Sequence, residues 1–167
     1  GIENLIEAYN IFRTQNISDE KLIIAGSGNS NYIESLREMS RNSEFKADIS
    51  FVGHVEGMKK IELYSKSRVF VLPSFSENFC NVVLESLANS TPVIASTKTP
   101  WEDLIKNKCG EWVDNDAISL YESLVKIYSL NLEEYELLCE NSRAYSYENF
   151  SIERNGYKVK SVFQNKT

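Results

Sequence analysis

Two glutamates one short segment apart carry the strongest chemical suggestion in this chain. Glu77 and Glu85 bracket the run Glu77-Asn78-Phe79-Cys80-Asn81-Val82-Val83-Leu84-Glu85, which follows the apolar stretch Val69-Phe70-Val71-Leu72 and then Pro73-Ser74. Asn81, Glu85 and Asn89 recur at i, i+4 and form one polar stripe, while Val83, Leu84 and Leu87 form the apolar face. A helix beginning near Cys80 aims unpaired backbone N–H groups and a positive dipole end at any anion in front of it. Glu85 then lies beside that anion, where a carboxylate accepts hydrogen bonds from vicinal sugar hydroxyls, and Glu77 in the loop can serve a second sugar. The competing reading is plainer: an acidic residue favoured by the helix dipole, followed by a solvated glutamate on a helix face.

Other chemistry-bearing residues are weaker. Gly26-Ser27-Gly28 follows an apolar run and lets a backbone approach a pyrophosphate, but Asn31 stands where the dinucleotide fingerprint has its third glycine. Ordinary turn chemistry explains the same glycines. His54, the sole histidine, has no Asp or Cys partner nearby and reads as a surface-loop residue whose backbone can line a pocket. In Thr97-Lys98-Thr99-Pro100-Trp101-Glu102, Trp101 reads as a core anchor and Lys98 as solvated. Cys80, Cys109 and Cys139 show no metal-ligand spacing and read as reduced thiols of a cytosolic compartment.

These residues need a scaffold, and the pattern supplies one. Helical spacing covers residues 2–15, 31–42, a short stretch through Met58, Ile61 and Tyr64, and about 80–89. Short apolar runs at Leu22-Ile23-Ile24-Ala25, Ile49-Ser50-Phe51-Val52, Val69-Phe70-Val71-Leu72 and Thr91-Pro92-Val93-Ile94-Ala95 read as buried parallel strands. Gly110-Glu111-Trp112-Val113 reads as an edge strand. Pro100 opens a short helix to Lys106. Two further helices carry Leu120, Leu124 and Ile127, then Leu138, Ser142 and Tyr145, and the tail repeats the spacing at Ile152, Val159 and Phe163. Alternating strands and helices predict an α/β fold, a single doubly wound parallel sheet covered on both faces. At 167 residues the chain suits one domain. Its net charge of −6 argues against a nucleic-acid partner. It has no apolar run of membrane-spanning length. The chain opens on a helix without an initiator Met, so a first strand is expected upstream.

Taken together, the segments resemble the C-terminal domain of two-Rossmann-domain (GT-B) glycosyltransferases, specifically the retaining family 4, or glycosyl transferases group 1. The resemblance rests on Leu22 to Gly28, Phe51-Val52-Gly53-His54-Val55, Leu63-Tyr64 before Val69 to Ser74, Glu77-Asn78-Phe79, Glu85-Ser86-Leu87-Ala88 and Thr91 to Ala95. It implies one Rossmann-like half of a larger enzyme that moves a hexose from a nucleoside diphosphate sugar to a glycan or lipid-linked acceptor. Glu85 would hold the ribose hydroxyls, and Glu77, at the catalytic position, hydroxyls of the transferred sugar. Backbone around Asn78, Phe79, Cys80, Asn81 and Val82 would hold sugar and diphosphate. Gly53, His54 and Val55 would lie against the base, with Gly26 and Gly28 also on the donor side. No metal or other cofactor is expected. The resemblance further implies cytoplasmic placement, peripheral at the inner membrane face through an N-terminal acceptor domain.

Two departures stand out. Asn78-Phe79-Cys80 replaces the family's Gly-Phe-Gly, so a side chain at Cys80 would crowd a backbone that normally approaches the sugar. The family's diphosphate-neutralising arginine and lysine lie before the segment matching Gly1 to Leu5, outside this chain. Phe150-Ser151-Ile152-Glu153-Arg154 resembles the start of the last family helix, which packs toward the other domain. The fragment alone is therefore expected to be inactive. Half of a sugar-nucleotide epimerase and a non-catalytic nucleotide- or glycan-binding module are the alternatives.

Overall fold

The computed structural model describes residues 1–15 and 19–151. Helices and strands alternate: α1 (Ile2–Gln15), β1 (Leu22–Ala25), α2 (Ser30–Arg41), β2 (Ile49–Gly53), α3 (Gly57–Lys66), β3 (Phe70–Leu72), α4 (Asn81–Ala88), β4 (Val93–Ser96), α5 (Asp103–Lys106), β5 (Gly110–Val113), α6 (Ala117–Tyr128) and α7 (Leu132–Phe150). The expected helical spacing at Ile152, Val159 and Phe163 lies outside the described residues.

All strand pairs are parallel, as the crossover helices require. The core of the sheet is β4. Val93 and Ala95 point to a layer built by Val83 and Leu87 of α4, Leu104 of α5 and Tyr145 of α7. Ile94 points the other way, to Leu5, Ala8 and Phe12 of α1 and Leu120, Leu124 and Ile127 of α6. A strand buried on both faces reads as a continuous apolar run, and β4 does. β5 is the edge beside it, as its weak pattern predicted.

The ladder is not continuous, however. β1 pairs with β2, and β3-β4-β5 form a second sheet, with no ladder between β1 and β3 among the described residues. This changes two expectations. β1 and β2 were expected to be buried, yet Ile23 and Val52 are 45% and 44% exposed. Leu22, Ile24, Ile49 and Phe51 pack on α1 and α2, while the opposite face of this pair is left open. On α3 the helical spacing was right but its apolar face was not: Met58 and Ile61 are exposed, and only Tyr64 is buried. Tyr64 meets Phe70 edge-on at 5.6 Å, so α3 is anchored to the second sheet rather than the first.

Candidate donor site

The parallel register Leu72↔Ala95↔Trp112 brings the carboxyl ends of β3, β4 and β5 to one edge. The loop after β3, residues 73–80, is fastened there at both ends. At its start Ser96 Oγ donates to the Ser74 carbonyl, and Asn115 Nδ2 donates to the Pro73 carbonyl at 2.8 Å. At its end Trp101 Nε1 donates to the Phe79 carbonyl at 2.8 Å, with the two rings 5.3 Å apart. Phe150 of α7 closes the same aromatic group against Phe79 and Trp101. Trp101 is thus the core anchor its sequence context suggested, and Lys98 is exposed.

Within this loop Glu77 is half-buried and accepts a hydrogen bond from Ser74 Oγ at 2.9 Å. That bond fixes the carboxylate without consuming its acceptor capacity. Asn78, Phe79 and Asn81 are exposed at the head of α4. Glu85 lies a turn further on. Its carboxylate is 2.5 Å from Lys60 Nζ and accepts from the Tyr64 hydroxyl at 3.2 Å. Both partners come from α3, one turn apart, and neither pairing was visible in the sequence because α3 and α4 are joined only through the strand between them. The ammonium and the phenol leave part of the carboxylate open, since its side chain is 40% exposed. Burial, then the Glu85 charge, pushes the Tyr64 hydroxyl well above its ordinary value, so it stays a donor at every physiological pH.

Cys80 is the unusual residue. It precedes α4 with φ of 59°, the left-handed region that favours glycine, and its side chain makes no capping bond. Burial first, and the Glu77 charge second, push its thiol up, against the pull of the Val82 and Val83 amides. The Cys80 side chain is half-buried at the head of α4. Replacing Cys80 by glycine removes a left-handed penalty of roughly 1 kcal/mol and loses half-buried packing of similar size. Cys80→Gly is accordingly expected to shift the melting temperature by no more than about 4 °C. The same change is expected to tighten nucleoside diphosphate binding several-fold in calorimetry. Unchanged or weaker binding would mean that the thiol is adapted to the ligand.

The loops after β1 and β2 meet at the same end of the fold. Gly26, at φ of 142°, donates its N–H to the Gly53 carbonyl at 2.8 Å, and Gly53 itself has φ of 71°. A Cβ on Gly28 would meet nothing within 4 Å, so this loop has room before it. Asn29 Oδ1 accepts from the Asn31 and Tyr32 amides, so the first turn of α2 is capped from within the chain. His54 is exposed, 3.8 Å from the Glu56 carboxylate, in keeping with a surface-loop histidine. Gly26, His54, Val55 and Val82 border one cavity of about 780 Å³, together with Lys60 and Tyr64. Of the expected donor-site residues, Gly26, His54, Val55 and Val82 thus share one cavity, whereas Gly28, Gly53, Glu77, Asn78, Phe79, Cys80, Asn81 and Glu85 do not border it.

Residues 1–145 match the family described as "Glycosyl transferases group 1". The chain belongs to that family. Its fold is the Rossmann-like, parallel α/β domain of GT-B glycosyltransferases. It is 36% identical over 115 residues to an uncharacterized glycosyltransferase of Methanocaldococcus jannaschii, covering 68% of this chain and 28% of that protein. It is 30% identical over 109 residues to the O-antigen chain mannosyltransferase RfbU of Salmonella typhimurium, covering 65% and 31%. The chain thus spans about three tenths of these two relatives. Among solved structures, Anabaena Alr3699/HepE in complex with UDP superposes with a TM-score of 0.83 at 15% identity, over 99% of this chain and 45% of that one. At such identity the likeness bears on the fold alone.

Proposed function

We propose that this glycosyltransferase domain binds the donor of a retaining, family 4 enzyme that transfers a hexose from a nucleoside diphosphate sugar to a glycan or lipid-linked acceptor. The observation that carries this reading is the pair of carboxylates on either side of an uncapped helix start. Glu77 is oriented by Ser74 in the loop, and Glu85 is held part-open by Lys60 and Tyr64. A diphosphate at the head of α4 meets the dipole and the amides of the first turn. The ribose then lies toward Glu85 and the sugar toward Glu77, with the base near Gly53, His54 and Val55. Charge on the departing diphosphate is balanced by the dipole and by basic side chains, without a metal. Transfer breaks the anomeric carbon–phosphate oxygen bond, whose electron pair leaves with the diphosphate. The acceptor hydroxyl oxygen bonds the same face of the sugar and passes its proton to the departing phosphate oxygen.

Two comparisons support the reading: one relative is named a mannosyltransferase, and one structural neighbour is described with UDP. The acceptor would be bound by an N-terminal domain of the same enzyme, and the remaining diphosphate-neutralising cations would be the arginine and lysine that the family carries before the segment matching Gly1 to Leu5, with the reaction at the cytoplasmic face of the membrane. The test is titration calorimetry of UDP-, GDP- and ADP-sugars on the full-length enzyme, followed by an acceptor-dependent transfer assay. One nucleotide class is expected to bind in the micromolar range, roughly −8 kcal/mol. Residues 1–167 alone are expected to transfer nothing. Release of nucleoside diphosphate without any acceptor would instead assign the domain to an epimerase, and absence of binding to every nucleotide would overturn the donor role.

A further inference from the structure

Lys60 and Tyr64 stand one turn apart on α3 and so share one face of it. Both reach across to α4, and both meet the same oxygen of Glu85. Lys60 Nζ lies 2.5 Å from Oε2, and the Tyr64 hydroxyl donates to Oε2 at 3.2 Å. Oε1 has no hydrogen bond or ion pair among the described residues. An ionised carboxylate accepts through both of its oxygens. Here one oxygen is taken up by α3 and the other is left whole. An ion pair this exposed contributes little to folding, so its geometry is better explained by what it leaves open.

The phenol is a fixed point rather than a flexible contact. Its ring is buried and meets Phe70 edge-on at 5.6 Å. The Tyr64 carbonyl accepts from Thr91 Oγ1 at 2.8 Å, and Ser86 Oγ donates to the Thr91 carbonyl at 3.0 Å. Thr91 and Ser86 are both buried, and Ser86 follows Glu85 on α4. The links from Tyr64 through Thr91 to Ser86 therefore lock the end of α3 to the residue beside Glu85, and the phenol–carboxylate contact closes the ring. Burial keeps the hydroxyl protonated, so it meets the carboxylate as a donor. Lys60 adds what a carboxylate beside a diphosphate needs. Like charges repel, most strongly where water is partly excluded, and the ammonium offsets the Glu85 charge at contact distance. Lys60 also borders the cavity shared by Gly26, His54 and Val55, so it links Glu85 to the loops expected on the donor side.

We propose that Lys60 and Tyr64 are positioning residues of the ribose site: they clamp Glu85 Oε2, leave Oε1 to the vicinal hydroxyls, and offset the carboxylate's charge so that a diphosphate can lie close by. The inference rests on the donor-site reading and adds a division of labour to it. Oε1 accepts from the diol, so the site selects ribonucleotides over ligands that lack the 2′ and 3′ hydroxyls. Tyr64 acts through orientation alone. Lys60 acts through orientation and charge, so its loss is felt by every ligand that carries the diphosphate.

The test is titration calorimetry on the full-length enzyme with UDP, GDP and ADP, then with the 2′,3′-dideoxy form of whichever binds most tightly. The parent is expected to prefer the diol-bearing ligand roughly 10- to 100-fold, the worth of hydrogen bonding to a charged group. Glu85→Ala should abolish this preference. Tyr64→Phe keeps the buried ring and should cut the preference about 3- to 10-fold, with the loss confined to the ligand that carries the hydroxyls. Lys60→Met should cut it similarly and also weaken the dideoxy ligand several-fold, and Lys60→Arg should restore both. If Glu85→Ala abolishes the preference while Tyr64→Phe and Lys60→Met leave it at the parental value, the positioning role is overturned and the donor site stands. Equal weakening of both ligands by Tyr64→Phe overturns it too, because the phenol would then serve only the fold. If Glu85→Ala leaves the preference untouched, or none of the three nucleotides binds, the donor-site reading itself falls and this inference with it.

Discussion

Trp101→Ala is expected to lower the unfolding free energy by about 4 kcal/mol, within the range for deleting a buried tryptophan. The ring is 2% exposed and shares a core with Val83, Leu87 and Leu104. Its removal leaves a cavity between α4 and α5 and deprives the Phe79 carbonyl of its indole donor. For a domain of this size such a loss corresponds to a drop of roughly 8–16 °C in melting temperature. Calorimetric or circular-dichroism melts would measure it. A drop under a few degrees would mean that Trp101 does not hold the loop. Trp101→Phe separates the two contributions: it keeps most of the ring volume and removes the N–H, so a smaller loss of about 1 kcal/mol is expected. Because that N–H fastens the end of the loop containing Glu77, Trp101→Phe should also weaken donor binding more than its stability cost alone implies.

Glu85→Ala has the opposite profile. Its ion pair with Lys60 is partly exposed, so breaking it costs folding little, about 0–1 kcal/mol. Under the donor-site reading the same carboxylate accepts ribose hydroxyl hydrogen bonds, and bonds to a charged group are worth about 1.5–3 kcal/mol. The nucleoside diphosphate should therefore bind roughly 10- to 100-fold more weakly to the variant, while its melting temperature barely moves. Titration calorimetry with the free nucleotide reads this directly. Identical affinities would remove Glu85 from the ribose site. Glu85→Gln keeps an acceptor but loses the charge that holds Lys60 and Tyr64, so an intermediate loss is expected. Lys60, freed in either variant, can approach the diphosphate and soften the effect. The double variant with Lys60→Met exposes the full loss.

Much of this protein was legible in order along the chain. The helix at Ile2–Gln15, the strand buried on both faces at Val93–Ser96 and the edge strand at Gly110–Val113 each follow from local spacing and composition. The placement of Glu77 beyond a strand end and Glu85 on the following helix was equally readable. What failed was burial wherever it depended on a neighbour distant in sequence. The run Leu22 to Ala25 has the composition of a central strand, yet among the described residues β1 pairs with β2 alone. Met58 and Ile61 keep helical spacing but are exposed, while Tyr64 of the same helix packs on Phe70.

The site divides along the same line. By itself the sequence determined that a loop with one carboxylate leads into a helix with another, because strand, loop and helix signals are local. The resemblance to the family also singled out Cys80 as a departure from its expected Gly-Phe-Gly pattern. Only the tertiary structure decided what those residues do next. The turn into α4 places Cys80 in the left-handed region, with its side chain half-buried. The seating of α3 against β3 brings Lys60 and Tyr64 onto Glu85. Hydrogen bonds across a crossover connect residues whose spacing in the chain has no period, so no local pattern records them.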